Sequence, residues 1–272
     1  MDILIFCNQN DAVATAVYQQ LHNTNNKVSV ISAEELIYTP LWKHELNTKG
    51  KGTTQIILSN GTTIQSGEVK AVWNRIRYFP MQHFINEADR HYAQTELFAL
   101  YFSFLKSINT ALIDPVKTYD FAVEEDNILY LKQQAINAGL PVLDYHFTSS
   151  PKWQSSKDLI PVSLYKKSAS SFQKKAPHLI WQNQPTIFTE ASSDVIKLWI
   201  AGNNIIGDKA VLPKAALKKL SQNLKKTLLE VHCVKTAEGY KLSTIITFPE
   251  QVPQPVSEAL AGLLLKKANK AA

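Results

Sequence analysis

The first half of the chain alternates short apolar runs with stretches of helical periodicity. The run Ile3–Cys7 is followed by a polar turn and then by apolar residues every three or four positions up to Leu21, which predicts a strand, a turn and a helix. Further buried strands are predicted at Lys27–Ile31 and Val69–Asn74. Because strands alternate with helical stretches, a parallel, doubly wound sheet is favoured.

Two longer helices and a hairpin complete this half. Apolar positions recur at helical spacing through Glu87–Ile108, and Asn127–Ala138 reads as a second helix that ends at Gly139. Asn60-Gly61 lies between two short apolar runs, and this dipeptide is typical of a tight hairpin turn because it accepts positive φ angles. A strand is predicted at Pro141–Tyr145.

Beyond Ser150 the pattern changes to strands joined by turns, with two helices. The predicted helices are Ala215–Leu229 and Pro255–Ala268. The predicted strands are Ile160–Tyr165, Thr186–Thr189, Val195–Ala201, Asn204–Ile206, Val231–Lys235 and Tyr240–Thr247. Their short connections predict antiparallel sheets.

Composition excludes several classes of protein. The chain has 272 residues, 45% of them hydrophobic, and no apolar run long enough to cross a membrane. The start lacks the pattern of a signal peptide, so a cytoplasmic protein is expected. Cys7 and Cys233 are far apart and lack metal-ligand spacing, so both are predicted to be core thiols in a reducing compartment. The nine glycines disfavour mechanisms that need glycine-rich phosphate loops.

Charged residues are distributed unevenly along the chain. Residues 1–150 carry a net charge of −4 and residues 151–272 one of +10, which favours an anionic partner such as a nucleotide or an acidic peptide. The alternative explanation of this positive charge is that the lysines lie on the surface and only interact with water. The lysine pairs lack interleaved arginines and aromatics, so nucleic acid is the least favoured partner.

Three stretches of the N-terminal half carry a family resemblance: 69–75 (Val-Lys-Ala-Val-Trp-Asn-Arg), the helix and strand over 93–115, and 127–150 with its Ala-Gly-Leu-Pro-Val. In this order they resemble the ATP-grasp maturases that cross-link ribosomal peptides of the microviridin type. The resemblance implies an α/β, ATP-grasp-like fold: an N-terminal preATP-grasp β/α domain over 1–115, a reduced central domain over 116–190 and a C-terminal domain over 191–272, the last two with antiparallel sheets.

The same resemblance implies which residues face a nucleotide. Lys166 or Lys167 would take the place of the family's phosphate-binding lysine, and Glu190 that of the carboxylate on the adenine or hinge side. Lys197 stands where the family has an arginine, and lysine lacks the planar fork of that side chain. No glycine lies between Gly139 and Gly202, so the phosphate-covering loop of the family is missing. ATP binding is therefore left open.

The family's magnesium ligands are replaced by hydrocarbon side chains. Alignment on Pro249 places Ile246 at the family's glutamate and Phe248 at its asparagine, and neither can bind Mg²⁺. No catalytic residue and no metal ligand are assigned, and magnesium is not expected. The leading hypothesis is a non-catalytic accessory protein of a peptide-modification system; an active ATP-dependent carboxylate–amine ligase is the alternative, and a binder of anionic polymers is a weaker third.

A contact surface is predicted at the end of the strand that contains Trp73. Arg75 and Arg77 follow at its carboxyl end, where ligands collect in open α/β sheets, and arginine pairs well with carboxylates. A precursor peptide or a ligase partner is the expected occupant, and a homo-oligomer is left open. Structural ion pairs with Glu87, Asp89 or Glu96 are the alternative role for these arginines.

Overall fold

The computed structural model describes residues 2–22, 24, 26–48, 52–81, 85–115, 127–148, 159–162, 186–190, 195–208 and 211–271. For 146–148, 159–162 and 186–190 it describes the backbone alone. In chain order the elements are β1 (Ile3–Cys7), α1 (Ala12–His22), β2 (Val28–Ser32), α2 (Ala33–Ile37), β3 (Leu41–Leu46), β4 (Gly52–Ile57), β5 (Thr63–Gln65), β6 (Ala71–Arg75), α3 (Glu87–Ser107), α4 (Ile128–Ala138), β7 (Tyr145–Thr148), β8 (Leu159–Val162), β9 (Thr186–Glu190), β10 (Val195–Ala201), β11 (Asn204–Gly207), α5 (Lys214–Leu224), β12 (Leu228–Thr236), β13 (Gly239–Ile246) and α6 (Gln254–Lys270).

The chain forms two compact units. Unit 1 is Met1–Phe121 with Pro249–Ala272, and unit 2 is Ala122–Phe248. The last helix, α6, packs against α1 in unit 1, although the sequence placed it in the third predicted domain. The three-domain division otherwise stays a prediction.

Unit 1 is built on a parallel sheet with the order β2-β1-β6. Every residue of β1 is buried, because α1 and α6 cover one face of this strand and the largest apolar cluster of the unit covers the other. Leu112 forms a single parallel bridge to Val72 on the far side of β6. A separate antiparallel sheet, β3-β4-β5, packs against α3. Its turn contains Gly61 at φ 81°, as the hairpin prediction requires.

Unit 2 contains two antiparallel sheets, ordered β7-β9-β8 and β11-β10-β12-β13. Helices α4 and α5 pack against each other, and their apolar residues join one face of the four-stranded sheet in a single core. Helix α4 begins after the N-cap Asn127, whose side chain accepts hydrogen bonds from the Leu129 and Tyr130 amides, and it ends at Gly139 with φ 85°. The sequence predicted the end of this helix at Gly139 and placed its start at Asn127, one residue before the first helical residue.

Several predicted boundaries are corrected. The helix predicted over Ala215–Leu229 ends at Leu224 because Lys225 adopts a left-handed φ of 54°, and Leu228 already pairs with Ala201 in the sheet. The strand predicted at Pro141–Tyr145 starts only at Tyr145, and before it Val142 makes an isolated bridge to Leu242. The short elements α2 and β3 were not predicted.

Candidate functional site

The four-stranded sheet of unit 2 has one face that carries polar side chains. The strand register sets Lys197 opposite His232 and Trp199 opposite Glu230, while Ile246 lies opposite Glu230 on the other side. Neighbours in register point to the same face of a sheet. These five residues, together with Thr244, form what we call the polar face. The opposite face of these strands belongs to the apolar core.

Glu230 is the centre of the polar face. Its side chain is 8% exposed, and its Oε1 accepts a hydrogen bond from His232 Nε2 at 2.6 Å and lies 3.3 Å from Lys197 Nζ. Burial by itself would raise the pKa of Glu230, but the hydrogen bonds and charges of His232 and Lys197 outweigh it, so the pKa is lowered. A buried carboxylate with these partners stays ionised at neutral pH.

Two further features of the polar face bear on ligands. The indole Nε1 of Trp199 is buried and has no hydrogen-bond partner among the described residues, and a buried donor without an acceptor is costly unless a ligand or water supplies one. The register of β12 and β13 shifts between His232 and Cys233, and the Ser243 hydroxyl donates to the His232 carbonyl at 3.2 Å. Ile246, which the sequence resemblance aligns with a glutamate of the ATP-grasp maturases, lies directly beside Glu230.

Lys132 is a buried cation of unit 2 that the sequence analysis did not single out. It lies on α4 with 2% of its surface exposed, and its Nζ is 4.5 Å from the ring centroid of Tyr145. Burial lowers the pKa of Lys132 to about 8, against the attraction of Asp144. Ala135 of α4 is also buried, and position 132 lies three residues before it. This helical spacing is the signal that could have indicated the burial of Lys132.

The predicted contact surface of unit 1 is only partly exposed. Trp73 and Arg75 are 2% and 3% exposed, and the Arg75 guanidinium lies over the Trp73 ring at 5.0 Å. Arg75 Nε donates to Asp11 Oδ2 at 2.7 Å, and its Nη2 donates to the Pro249 carbonyl at 3.0 Å. This burial leaves Trp73 and Arg75 little surface for a peptide, and their role as contact residues stays a prediction. Asp11, which the sequence analysis did not name, is an ion-pair partner of Arg75.

Asp11 was not singled out in the sequence analysis. Its Oδ1 accepts hydrogen bonds from the Val13 and Ala14 amides at 3.0 and 2.9 Å, which caps α1. Its other oxygen is the one that accepts from Arg75. Desolvation lowers the pKa of Arg75, although Asp11 opposes this. The Asn8-Gln9-Asn10-Asp11 turn after β1 was the available signal, because Asp before an amphipathic run is a capping residue.

Arg77 is the exposed member of the predicted surface. Its backbone amide donates to Asn8 Oδ1 at 3.0 Å, and Asn8 Nδ2 donates to the Tyr78 carbonyl at 2.7 Å. These bonds hold the segment that carries Arg77 against the turn after β1. Tyr78 beside it is 54% exposed.

The predicted nucleotide contacts Lys166, Lys167, Glu190 and Lys197 belong to unit 2. Lys166 and Lys167 lie outside the described residues, and Glu190 ends β9 with its backbone alone described. Lys197 is on the polar face with 53% of its side chain exposed. Cys7 and Cys233 are buried free thiols, as predicted, and burial raises the pKa of each to about 12.

Two kinds of feature are absent from the described part of the chain. It contains no cluster of three or more His, Cys, Asp or Glu side chains that could hold a metal ion. None of its helices combines the length and the apolar character needed to cross a membrane.

Comparison with solved structures identifies the fold. The macrocyclase MdnC bound with the precursor peptide MdnA, from Microcystis aeruginosa MRC, superposes with a TM-score of 0.73 at 17% identity over 98% of this chain and 100% of that one. The macrocyclase MdnB of the same organism gives 0.70 at 15% identity, covering 97% and 99%. A Chryseobacterium gregarium RiPP-associated ATP-grasp ligase in complex with ADP and a leader and core peptide gives 0.70 at 14%, covering 98% and 97%.

The chain therefore has the ATP-grasp fold, in the form found in ligases of ribosomal peptides. This confirms the fold predicted from the three N-terminal stretches. No protein-family model and no curated protein matches the sequence. At these identities the superposition establishes the fold alone.

Proposed function

We propose that this protein is a non-catalytic, ATP-grasp-like accessory protein of a ribosomal peptide modification system, which binds a precursor peptide or a ligase partner. The observation that carries the proposal is the pairing on the polar face: Ile246 stands in register beside Glu230, and the Glu230 carboxylate is already engaged by His232 and Lys197. The described part of this face thus offers one carboxylate, and that one is neutralised.

Electrostatics supports the absence of catalysis. A nucleoside triphosphate and a substrate carboxylate bring several negative charges into one site, and magnesium is held there by carboxylate and amide oxygens. Ile246 and Phe248 supply none. Releasing Glu230 for a metal would break its hydrogen bond to His232 and leave Lys197 without this carboxylate.

Peptide binding is supported by the fold and by the surface of unit 1. The MdnC structure contains its precursor peptide, and the ligase from C. gregarium contains a leader and a core peptide. Arg77 is exposed on a segment held by Asn8, so an acidic peptide or an acidic partner surface is the proposed occupant there. An exposed arginine contact of this kind contributes about 1 kcal/mol or somewhat more.

The decisive experiment measures Mg²⁺-dependent ADP release, with and without any precursor peptide that a neighbouring gene encodes. We expect no release above background with wild-type protein, while calorimetry detects peptide binding. The Arg77→Ala variant should weaken that binding about fivefold to tenfold with little change in Tm. Steady ADP release that Lys166→Ala or Lys197→Ala abolishes would reject the non-catalytic role.

The alternative is an active ATP-dependent carboxylate–amine ligase. Two observations favour it: solved structures of the same fold hold ADP, and Trp199 Nε1 is a buried donor that lacks a partner among the described residues. In that case Lys166 or Lys167, Glu190 and Lys197 would hold the nucleotide. Binding of ADP without turnover, measured by calorimetry, would indicate a regulatory nucleotide site and leave the accessory role intact.

A further inference from the structure

Among the described residues, no strand pairs with the outer edge of β2, the outer strand of the parallel sheet in unit 1. In the order β2-β1-β6, strand β2 has a neighbour on one side only. The Ile3 amide donates to the Lys27 carbonyl at 3.1 Å, and Ile3 pairs with Val28 in the register. Alternation along a parallel strand therefore turns the backbone groups of Ser29 and Ile31 towards β1 and those of Val28 and Val30 away from it.

The outward groups of Val28 and Val30 have no hydrogen-bond partners within the described chain. The next outward amide, that of Ser32, is satisfied because it donates to Glu35 Oε2 at 2.8 Å at the start of α2. Val28 and Val30 thus present two N–H and two C=O groups in the spacing of a β-ladder. Natural sheets usually cover, twist or charge such an edge, because it pairs readily with another strand.

A cleft of about 390 Å³ runs beside this edge. One wall comes from Thr15 and Tyr18 on α1, and the other from the turn between β4 and β5 with Asn60 and Thr62. Glu35 is the charged side chain among the described residues that line it. The walls carry hydroxyl and amide groups, and the edge of β2 carries a backbone pattern that an extended polypeptide matches.

We propose that β2 accepts an extended peptide segment as an additional strand in this cleft. Main-chain hydrogen bonds to Val28 and Val30 supply the affinity in this mode of recognition, and the flanking side chains supply the selectivity. Small or hydroxyl side chains fit the walls, and a lysine or arginine fits Glu35. The inference concerns unit 1 alone and does not depend on nucleotide binding or on the proposed accessory role.

A second copy of the protein fits this edge less well than a single strand does. Pairing of β2 with its counterpart would bring α1 and the β4–β5 turn of one copy against the same walls of the other. A lone extended segment needs only the spacing of about 4.8 Å between neighbouring strands. Dimerisation through β2 is therefore an outcome that the experiment must detect.

The test begins with a displayed library of random short peptides, selected on the purified protein. Binding of an enriched peptide is then measured for the wild type, Thr15→Trp and Thr95→Trp. Thr15 and Thr95 are both exposed helix residues whose hydroxyls donate to the carbonyl four positions earlier, but only Thr15 lines the cleft. We expect Thr15→Trp to weaken binding at least tenfold and Thr95→Trp to leave it unchanged, with equal Tm values.

Two further measurements distinguish a β-ladder from a side-chain pocket. One set of peptides is methylated on the backbone nitrogens of the odd-numbered residues and a second set on those of the even-numbered residues. One set should lose binding and the other should keep it, because only alternate N–H groups of a strand face β2. Val30→Pro removes one outward N–H while the ladder to β1 remains, since proline is tolerated at a free strand edge, and it should weaken binding whereas Val30→Thr should not. If Val30→Pro does not fold, the methylated peptides decide.

The proposal fails if no peptide is enriched, or if the enriched peptides bind Thr15→Trp as well as the wild type. It also fails if the peptides methylated at odd-numbered residues and those methylated at even-numbered residues bind equally well. A concentration-dependent dimer in sedimentation that Thr15→Trp disrupts would show that a second copy occupies the edge. None of these results bears on ADP release, so they are independent of the test of the proposed function.

Discussion

Asp11 and Arg75 form an ion pair that joins three segments of unit 1. Arg75 Nε donates to Asp11 Oδ2 at 2.7 Å, with side chains 3% and 8% exposed. Asp11 caps α1 with its other oxygen, and Arg75 also donates to the Pro249 carbonyl. The pair thereby ties the end of β6, the start of α1 and the segment before α6 together, although 64 residues separate its members in sequence.

Removing the charge of Asp11 should strongly destabilise unit 1. Asp11→Asn retains a capping side chain but leaves the buried Arg75 guanidinium without its counter-ion, so we expect a loss of about 3 kcal/mol. Urea unfolding, followed by circular dichroism, measures it. The matched control is Asp2→Asn, which breaks the more exposed pair with Lys70 and should cost less than about 1 kcal/mol. Equal losses in the two variants would contradict a special role for the buried pair.

Lys132 should lower stability at neutral pH. Its charged form is disfavoured by burial, so Lys132→Met should stabilise the protein by about 2 kcal/mol at pH 7. Because the folded-state pKa of about 8 lies below the usual 10.5, the unfolded chain binds more protons between these values, and wild-type stability rises with pH there. The advantage of the variant in Tm should therefore shrink from pH 8 to pH 10.

Lys106 provides the control for this prediction. Its Nζ lies 5.1 Å from the Phe102 ring centroid, a contact similar to that of Lys132 with Tyr145, but Lys106 is exposed. Lys106→Met should give no comparable gain in Tm at pH 7. A Lys132→Met variant that is less stable than the wild type at pH 7 would show that the cation–π contact outweighs desolvation.

Glu230 should stabilise unit 2 at neutral pH but not in acid. Glu230→Gln keeps the shape and loses the charge that faces His232 and Lys197, so we expect a cost of about 1–2 kcal/mol at pH 7. Because the folded-state pKa lies below the usual 4.5, this contribution is complete above pH 4.5 and is lost as the pH falls through the folded-state pKa. The difference in Tm between the wild type and Glu230→Gln should therefore disappear as the pH falls below the folded-state pKa of Glu230.

Glu238→Gln serves as the comparison for Glu230. Glu238 lies 2.7 Å from Lys241 Nζ with its side chain 77% exposed, and such pairs contribute little because water and salt screen them. Its substitution should change the free energy of unfolding by less than about 1 kcal/mol at pH 7. A pH-independent difference for Glu230→Gln would mean that packing, not charge, accounts for its effect.

Local patterns in the sequence were sufficient to predict most helices and strands and to recognise the resemblance to ATP-grasp proteins. The hairpin turn with Gly61 at positive φ and the helix end at the left-handed Gly139 were predicted correctly, because each depends on conformational preferences of a few neighbouring residues. Helix α5 was predicted too long because Lys225, a good helix former, adopts φ 54° before a strand that pairs with β10. Strand pairing overrode the local propensity.

The sequence by itself determined the β/α character of the N-terminal half, the antiparallel strands that follow it and the hydrocarbon side chains at Ile246 and Phe248. Only the tertiary structure decided that Trp73 and Arg75 are buried, that Asp11 pairs with Arg75 and that α6 packs in unit 1. The physical reason is the range of the interactions. Turns and caps depend on adjacent residues, whereas burial and ion pairs depend on which distant segments the fold brings into contact.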